Sequence, residues 1–222
     1  MTQLKLRNNM EDSIAIIRGI TFVGGFLNAY CFFTRGGAFG TFHTGNIVRA
    51  GVSLVQWDWS GFWAAFLPII GAFIGALLAN TVRLSAPVDL TFQRRVIFAQ
   101  LLTFLVIGFL SSDATNGVVN FVVPMVSMFQ LSSFRKVKDR VHNSTIMTGN
   151  LRTLGQLFFA MIHERTSKSQ ADFLSYFLTF NAFFIGVVAG GLISVQIGKI
   201  AIWVCALVML MILIISRNYQ RA

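Results

Sequence analysis

The chain reads as long apolar stretches separated by short polar connections. Ile14–Phe33, Gly61–Val82, Val96–Leu110, Gly117–Phe134, Phe173–Val195 and Ile200–Ser216 are each almost free of charge. Most approach the roughly 20 residues that a helix needs to cross a bilayer. The pattern predicts an all-α, polytopic membrane protein with six spanning helices. The polar connections are too short to hold a soluble domain.

A repeat is superimposed on this pattern. Thr44-Gly45-Asn46 recurs as Thr148-Gly149-Asn150, with a further glycine seven residues after each Thr, at Gly51 and Gly155. An arginine follows each copy, Arg49 and Arg152, and a later span carries a second match, Gly71–Leu77 with Ala182–Val188. The order of parts is span, TGN segment, span, span, and it occurs twice. The halves are residues 14–110 and 117–216, flanked by tails 1–13 and 217–222.

Loop charges decide between two topologies. If both TGN segments cross, giving eight spans, the loops with Arg83, Arg94, Arg95 and with Arg135, Lys136, Lys138, Arg140 fall outside, against the positive-inside rule. If each TGN segment enters and leaves by one face, those loops and both tails are cytoplasmic, and only Arg35 and Lys199 remain outside. The second arrangement is expected: six spans plus two re-entrant TGN half-helices, in two inverted repeats. The 11 residues from Asn46 to Gln56 would make roughly 16 Å of helix, half the hydrocarbon thickness.

Thr, Gly and Asn suit a helix N-terminus, where side-chain oxygens cap free N–H groups. A helix that starts at the bilayer midplane points those groups and its positive dipole end there, which favours an anion. Two such ends facing each other make a binding site of the kind broken helices form in transporters. The other reading of TGN is a well-capped helix start and nothing more. Arg49 and Arg152 fall in the first turns, where they either balance a bound anion or snorkel to the interface. His43 and His142 border the two motifs and are read as hydrogen-bonded loop histidines or proton-coupling groups. Asn28, Asn181 and Gln130 are polar positions inside spans, suited to helix–helix hydrogen bonds or to ligand contact. The candidate site set is Thr44, Gly45, Asn46, Arg49, Thr148, Gly149, Asn150, Arg152, Asn28 and Gln130.

Composition narrows the picture further. Of 222 residues 55% are hydrophobic and 12% charged, with a mean hydropathy of +0.69. The excess of 18 basic over 8 acidic residues is expected from membrane orientation, so no nucleic-acid partner is implied. Cys31 and Cys205 are far apart within apolar helices and read as inert. The polar N-terminal residues and the absence of a small-residue cleavage site after the first span predict a start-transfer helix. The 23 phenylalanines are assigned to lipid contact or core filling, and Trp57, Trp59 and Trp63 to an outer interfacial belt. No catalytic motif, cofactor motif or metal spacing is present, so a non-enzyme without cofactors is expected.

Gly25-Phe26-Leu27-Asn28-Ala29, Phe39-Gly40-Thr41-Phe42-His43-Thr44-Gly45-Asn46 and Thr145-Ile146-Met147-Thr148-Gly149-Asn150-Leu151 resemble the YoaK family of bacterial inner-membrane proteins, defined by a domain of unknown function. The resemblance covers nearly the whole chain and implies a multi-pass protein of the bacterial inner membrane. The chain departs from that family's pattern near the start of each half, where it has Asn28 and Met128-Phe129-Gln130-Leu131. The expected function is a small secondary transporter or channel with a midplane site for a small anion or polar solute. Its partners are the lipid bilayer and that solute, with a homodimer also open. The alternative is a non-transporting membrane scaffold or accessory subunit.

Overall fold

The computed structural model describes residues 13–85, 89–133 and 147–217. The tail residues 1–12 and 218–222, the Arg135–Arg140 charges, His142 and the side chain of Thr148 lie outside the described residues. Among the described residues eight α-helices follow in order: α1 (Ile14–Thr34), α2 (His43–Val55), α3 (Trp59–Ser85), α4 (Leu90–Gly108), α5 (Asn116–Ser133), α6 (Met147–Glu164), α7 (Ser167–Ile197) and α8 (Ile202–Arg217). Strands are absent among the described residues. Polar residues at the connections start the helices. Ser13 caps α1, Asp89 accepts from the Phe92 N–H at 2.7 Å to start α4, and Thr166 with Ser169 forms a capping box at α7.

Among the described residues, five helical stretches are long and apolar enough to cross a membrane, and the last, Ser167–Arg217, is two helices. The chain reverses at Gly198, whose φ of 65° suits glycine, and α7 and α8 then run in opposite directions. Neighbouring contacts fix those directions. Gly186 and Gly190 of α7 lie against Phe22 and Phe26 of α1, so α1 and α7 are parallel. Gly19 of α1 meets Ile212, while Tyr30 reaches Lys199 just ahead of α8, so α1 and α8 are antiparallel. The chain is therefore an all-α, multi-pass membrane protein.

The pairings themselves come in twos. α1 packs on α7 as α5 packs on α3; α2 packs on α3 as α6 packs on α7; α1 packs on α8 as α5 packs on α4; and α4 packs on α8. Gly71 and Gly75 bring α3 against the Phe121 and Met125 backbone of α5, as Gly186 and Gly190 bring α7 against α1. A Cβ at Gly71, Gly75 or Gly186 would stand 2.1–2.2 Å from a carbonyl oxygen, so only glycine permits this approach.

The buried core is shared by α1, α4, α5 and α8, with Phe26, Tyr30, Phe104, Val123, Cys205 and Met209 among its members. Outward faces of α3 and α7 expose Phe73, Leu77, Phe184 and Leu192, as lipid contact requires. At one end of the bundle Arg35 is 0% exposed. Its guanidinium donates to the Tyr30 hydroxyl at 2.8 and 3.1 Å, to the Leu110 carbonyl at 2.9 Å and to Asn116 Oδ1 at 3.2 Å. Tyr30 in turn donates to the Lys199 carbonyl at 3.0 Å, and the Lys199 ammonium pairs with Asp113 at 2.5 Å. One cation thus ties together α1, both helices of the α4–α5 turn, and the α7–α8 turn. At the opposite end Arg83 donates to the Ser132 carbonyl at 3.2 Å, and Arg94 to Ser216 at the end of α8.

Candidate functional site

The first TGN segment is held from two sides. Asn28, on α1, accepts from the Thr41 and Phe42 N–H groups at 2.8 and 3.0 Å and donates to Thr41 Oγ1 at 2.8 Å. Asn46, on α2, accepts from the Phe39 N–H at 2.9 Å and donates to the Phe39 carbonyl at 2.8 Å. Two carboxamides therefore satisfy the irregular backbone between α1 and α2, which would otherwise carry unpaired groups. Asn28 lies six residues before the end of α1, so this stitching sits roughly 9 Å inside that end.

The cap expected from Thr44 and Asn46 is not formed. Phe42 is the N-cap residue and supplies no side-chain hydrogen bond, while Thr44, Gly45 and Asn46 fall within the first turn of α2. Asn46 is 0% exposed, and Phe39, seven residues upstream, takes both ends of its amide. Thr44 is exposed, and Gly45 lies under the Phe42 and Phe39 rings, where a Cβ would come within 2.5 Å of Phe42. His43 opens the helix with its Nδ1 buried and lacking a partner.

Other predicted site residues lie apart from this cluster. Arg49 reaches away from the start of α2: it donates to the Gly36 carbonyl at 3.4 Å and stacks 6.0 Å from the Phe32 ring centre. Gly37, at a φ of 75°, leaves the space that its guanidinium fills. In the second half α6 is described from Met147, and the second TGN lies among its first described residues. Asn150 is buried, with its amide 3.9 Å from Met147 Sδ; Gly149 faces open space and Arg152 is exposed. Gln130 belongs to the α4–α5 contact, where its Oε1 accepts from Gln100 at 3.5 Å.

A cavity of about 660 Å³ lies between the two TGN segments. Phe42, two residues before Thr44, and Met147, immediately before Thr148, both line it, with Phe32, Phe39, Leu151 and Phe183. Phe39 stacks on Phe32 at 5.6 Å and meets Phe42 edge-on at 5.4 Å. Asn28 is its polar lining side chain, and the oxygen of that amide already accepts two backbone N–H groups. Neither arginine of the candidate set lines it. Such a surface holds an apolar or aromatic solute by burial and ring contacts, and it lacks the charge that an anion needs. No group of metal-ligating side chains is found among the described residues.

The lining phenylalanines escaped sequence reasoning because Phe looks alike in lipid, core and site. A usable signal was nonetheless present, since Phe39, Phe42 and Met147 all abut the two copies of the repeated tripeptide. No curated protein and no solved structure matches the chain. A family model described as a protein of unknown function, DUF1275, matches residues 16–215, and the chain belongs to that family, of which the YoaK proteins are members.

Proposed function

We propose that this protein is a small membrane transporter whose central site lies between the starts of two re-entrant TGN helices. The carrying observation is the cavity that Phe42 and Met147 border together, because it joins the two copies of the motif across the halves. Inverted halves are supported by helix direction. α1 and α7 run parallel, α3 and α5 run parallel, and α4 opposes α8. Arg35 at the end of α1 contacts Asn116 at the start of α5, so those first helices point in opposite senses. With α1, α3 and α4 alternating in sense, α2 returns to the end at which it entered, and α6 does the same at the other end. Halves of this kind rock against each other around a fixed site in many transporters.

The solute we assign is apolar or aromatic with at most one polar group, in place of the small anion expected from helix dipoles. Neither Arg49 nor Arg152 lines the cavity, so no cation stands in its wall to pair an anion. The protein is taken to be non-catalytic and to lie in the bacterial inner membrane. Its cytoplasmic face is the end carrying Arg83, Arg94, Arg165, Lys168 and Arg217. A scaffold role is favoured by one observation: Asn28 and Asn46 spend their amides on the loop.

Reconstitution in liposomes separates the two. Uptake of a panel of hydrophobic aromatic compounds and of small organic anions is measured for the native chain and for Phe42→Ala and Phe183→Ala. Uptake of the aromatic set, reduced in both variants, supports the proposal. A folded protein that moves none of them favours the scaffold, and uptake of anions alone restores the dipole-based reading.

A further inference from the structure

A second apolar recess adjoins the central cavity on its lipid side. It holds about 400 Å³ between Phe33, near the end of α1, and residues 187–196 of α7, and Phe33 and Val187 belong to the walls of both spaces. Val188, Leu192 and Val195 line it and are exposed, so in a bilayer it faces hydrocarbon. The nine residue steps from Val187 to Gln196 make roughly 14 Å of helix, about half the hydrocarbon thickness. The recess thus runs from the level of the cavity toward the Arg35 end over the depth of one leaflet, and Gln196, at that end, is the polar residue of its wall.

Between the two spaces stands a side chain and not backbone. At Gly25, Gly186 and Gly190 the helices α1 and α7 meet so closely that a Cβ would lie 2.1–2.6 Å from a carbonyl oxygen. At Gly191 the neighbour is the Phe33 ring, 3.2 Å from where a Cβ would be. Phe33 is 56% exposed, and exposed side chains change rotamer in picoseconds to nanoseconds, so its ring can swing aside while the helices stay in contact. Rings continue inward from it. Phe33 meets Phe32 edge-on at 5.6 Å, Phe32 stacks on Phe39, and Phe39 meets Phe42 at the start of α2.

We infer that the central site is loaded sideways from the lipid, between α1 and α7 with Phe33 as its door, by an aromatic solute dissolved in the leaflet at the Arg35 end. This rests on the reading of the central cavity as a transport site. No charged side chain lines either space, so nothing in the walls draws a polar solute from water. A solute already in hydrocarbon gives up no hydration on entry, and the run of rings favours one that is aromatic over a plain acyl chain.

The test uses the whole chain in lipid nanodiscs with an apolar aromatic photoprobe, iodophenyl trifluoromethyl diazirine, iodobenzene as competitor, and mass spectrometry to locate the label. Phe39 reports the cavity, Leu192 the recess, and Phe73, exposed on α3, the bulk lipid. Labelling at Phe39 and Leu192 is expected to saturate and to fall several-fold with competitor, while labelling at Phe73 does neither. Gly191→Trp, which sets an indole against the Phe33 ring, is expected to slow the appearance of label at Phe39 several-fold after the probe is added, with Phe73 unchanged. Leu192→Trp narrows the recess from its lipid side and carries the same expectation if the first variant does not fold. Saturable label at Phe39 that appears at the native rate in the blocked variant overturns lateral loading and leaves the central site standing. Absence of saturable label at Phe39 in the native chain overturns both. Saturation at Leu192 alone, cleared by oleic acid and not by iodobenzene, makes the recess a lipid-chain site and overturns the proposal.

Discussion

A methyl group at Gly186 would stand 2.1 Å from the Phe22 carbonyl oxygen, whereas one at Gly155 would meet nothing within 4 Å. Both glycines are helical, so alanine gains the same intrinsic propensity at each, and only the neighbours differ. Gly186→Ala is expected to destabilise the protein by roughly 1–3 kcal/mol, the usual cost of overpacking. Gly155→Ala is expected to be neutral or up to about 1 kcal/mol stabilising. Thermal unfolding in detergent compares them, and equal midpoints would show that α1 and α7 do not approach so closely. The two cations at the Arg35 end differ in the same way. Arg35 is enclosed, and its charge-assisted hydrogen bonds contribute roughly 1.5–3 kcal/mol each, so Arg35→Gln should cost more than about 3 kcal/mol. Lys199 pairs with an exposed carboxylate and donates to the Ser111 carbonyl, and Lys199→Ala should cost less than Arg35→Gln. Denaturant titration of both variants checks the order, which is reversed if Lys199 is the main tie.

The connection between α1 and α2 depends on two amides acting on different backbone groups. Removing Asn28 frees the Thr41 and Phe42 N–H groups, and removing Asn46 frees the Phe39 N–H and carbonyl. Asn28→Ala should therefore speed hydrogen exchange at Thr41 and Phe42, and Asn46→Ala at Phe39, each with a stability loss of about 1–3 kcal/mol. Exchange at Phe39 that is unchanged in Asn46→Ala would remove the clamp. Sequence periodicity found the helices and placed a start near the first TGN, because apolar runs and their polar breaks are local signals. It assigned Asn46 the wrong partner, since a cap acts on residues downstream and Phe39 lies upstream in a segment without periodicity. α7 also begins six residues before the apolar stretch Phe173–Val195. A polar first turn from Ser167, closed by the Thr166 and Ser169 capping box, carries no hydropathy signal.

Taken as a whole, the described residues sort most of their charges by end, and the cations at the Arg35 end, Arg35, Arg49 and Lys199, have structural employment. Arg83 and Arg94 close one end, against Ser132 and Ser216. Arg35 and Lys199, at the other, are consumed by Tyr30, Leu110, Asn116 and Asp113. A cation locked into a turn contributes little to the choice of orientation, so the positive-inside argument gains force once these two are set aside. Loop charges alone could weigh the topologies but could not say why two residues defied them, because burial is a property of the folded end. The eight-span and re-entrant alternatives differ in one decisive relation. If α2 crosses the membrane, Ser60 shares a side with Ser167; if α2 turns back, Ser60 lies with Ser112 on the side opposite Ser167. All three serines are exposed, and the native Cys31 and Cys205 are buried, so single cysteines at these positions report with low background. With a membrane-impermeant maleimide on intact cells, Ser60→Cys and Ser112→Cys are expected to label, and Ser167→Cys only after the membrane is opened. Labelling of Ser60→Cys and Ser167→Cys from the same side would sink the re-entrant arrangement, and with it the apposition of TGN helix starts on which the central transport site depends.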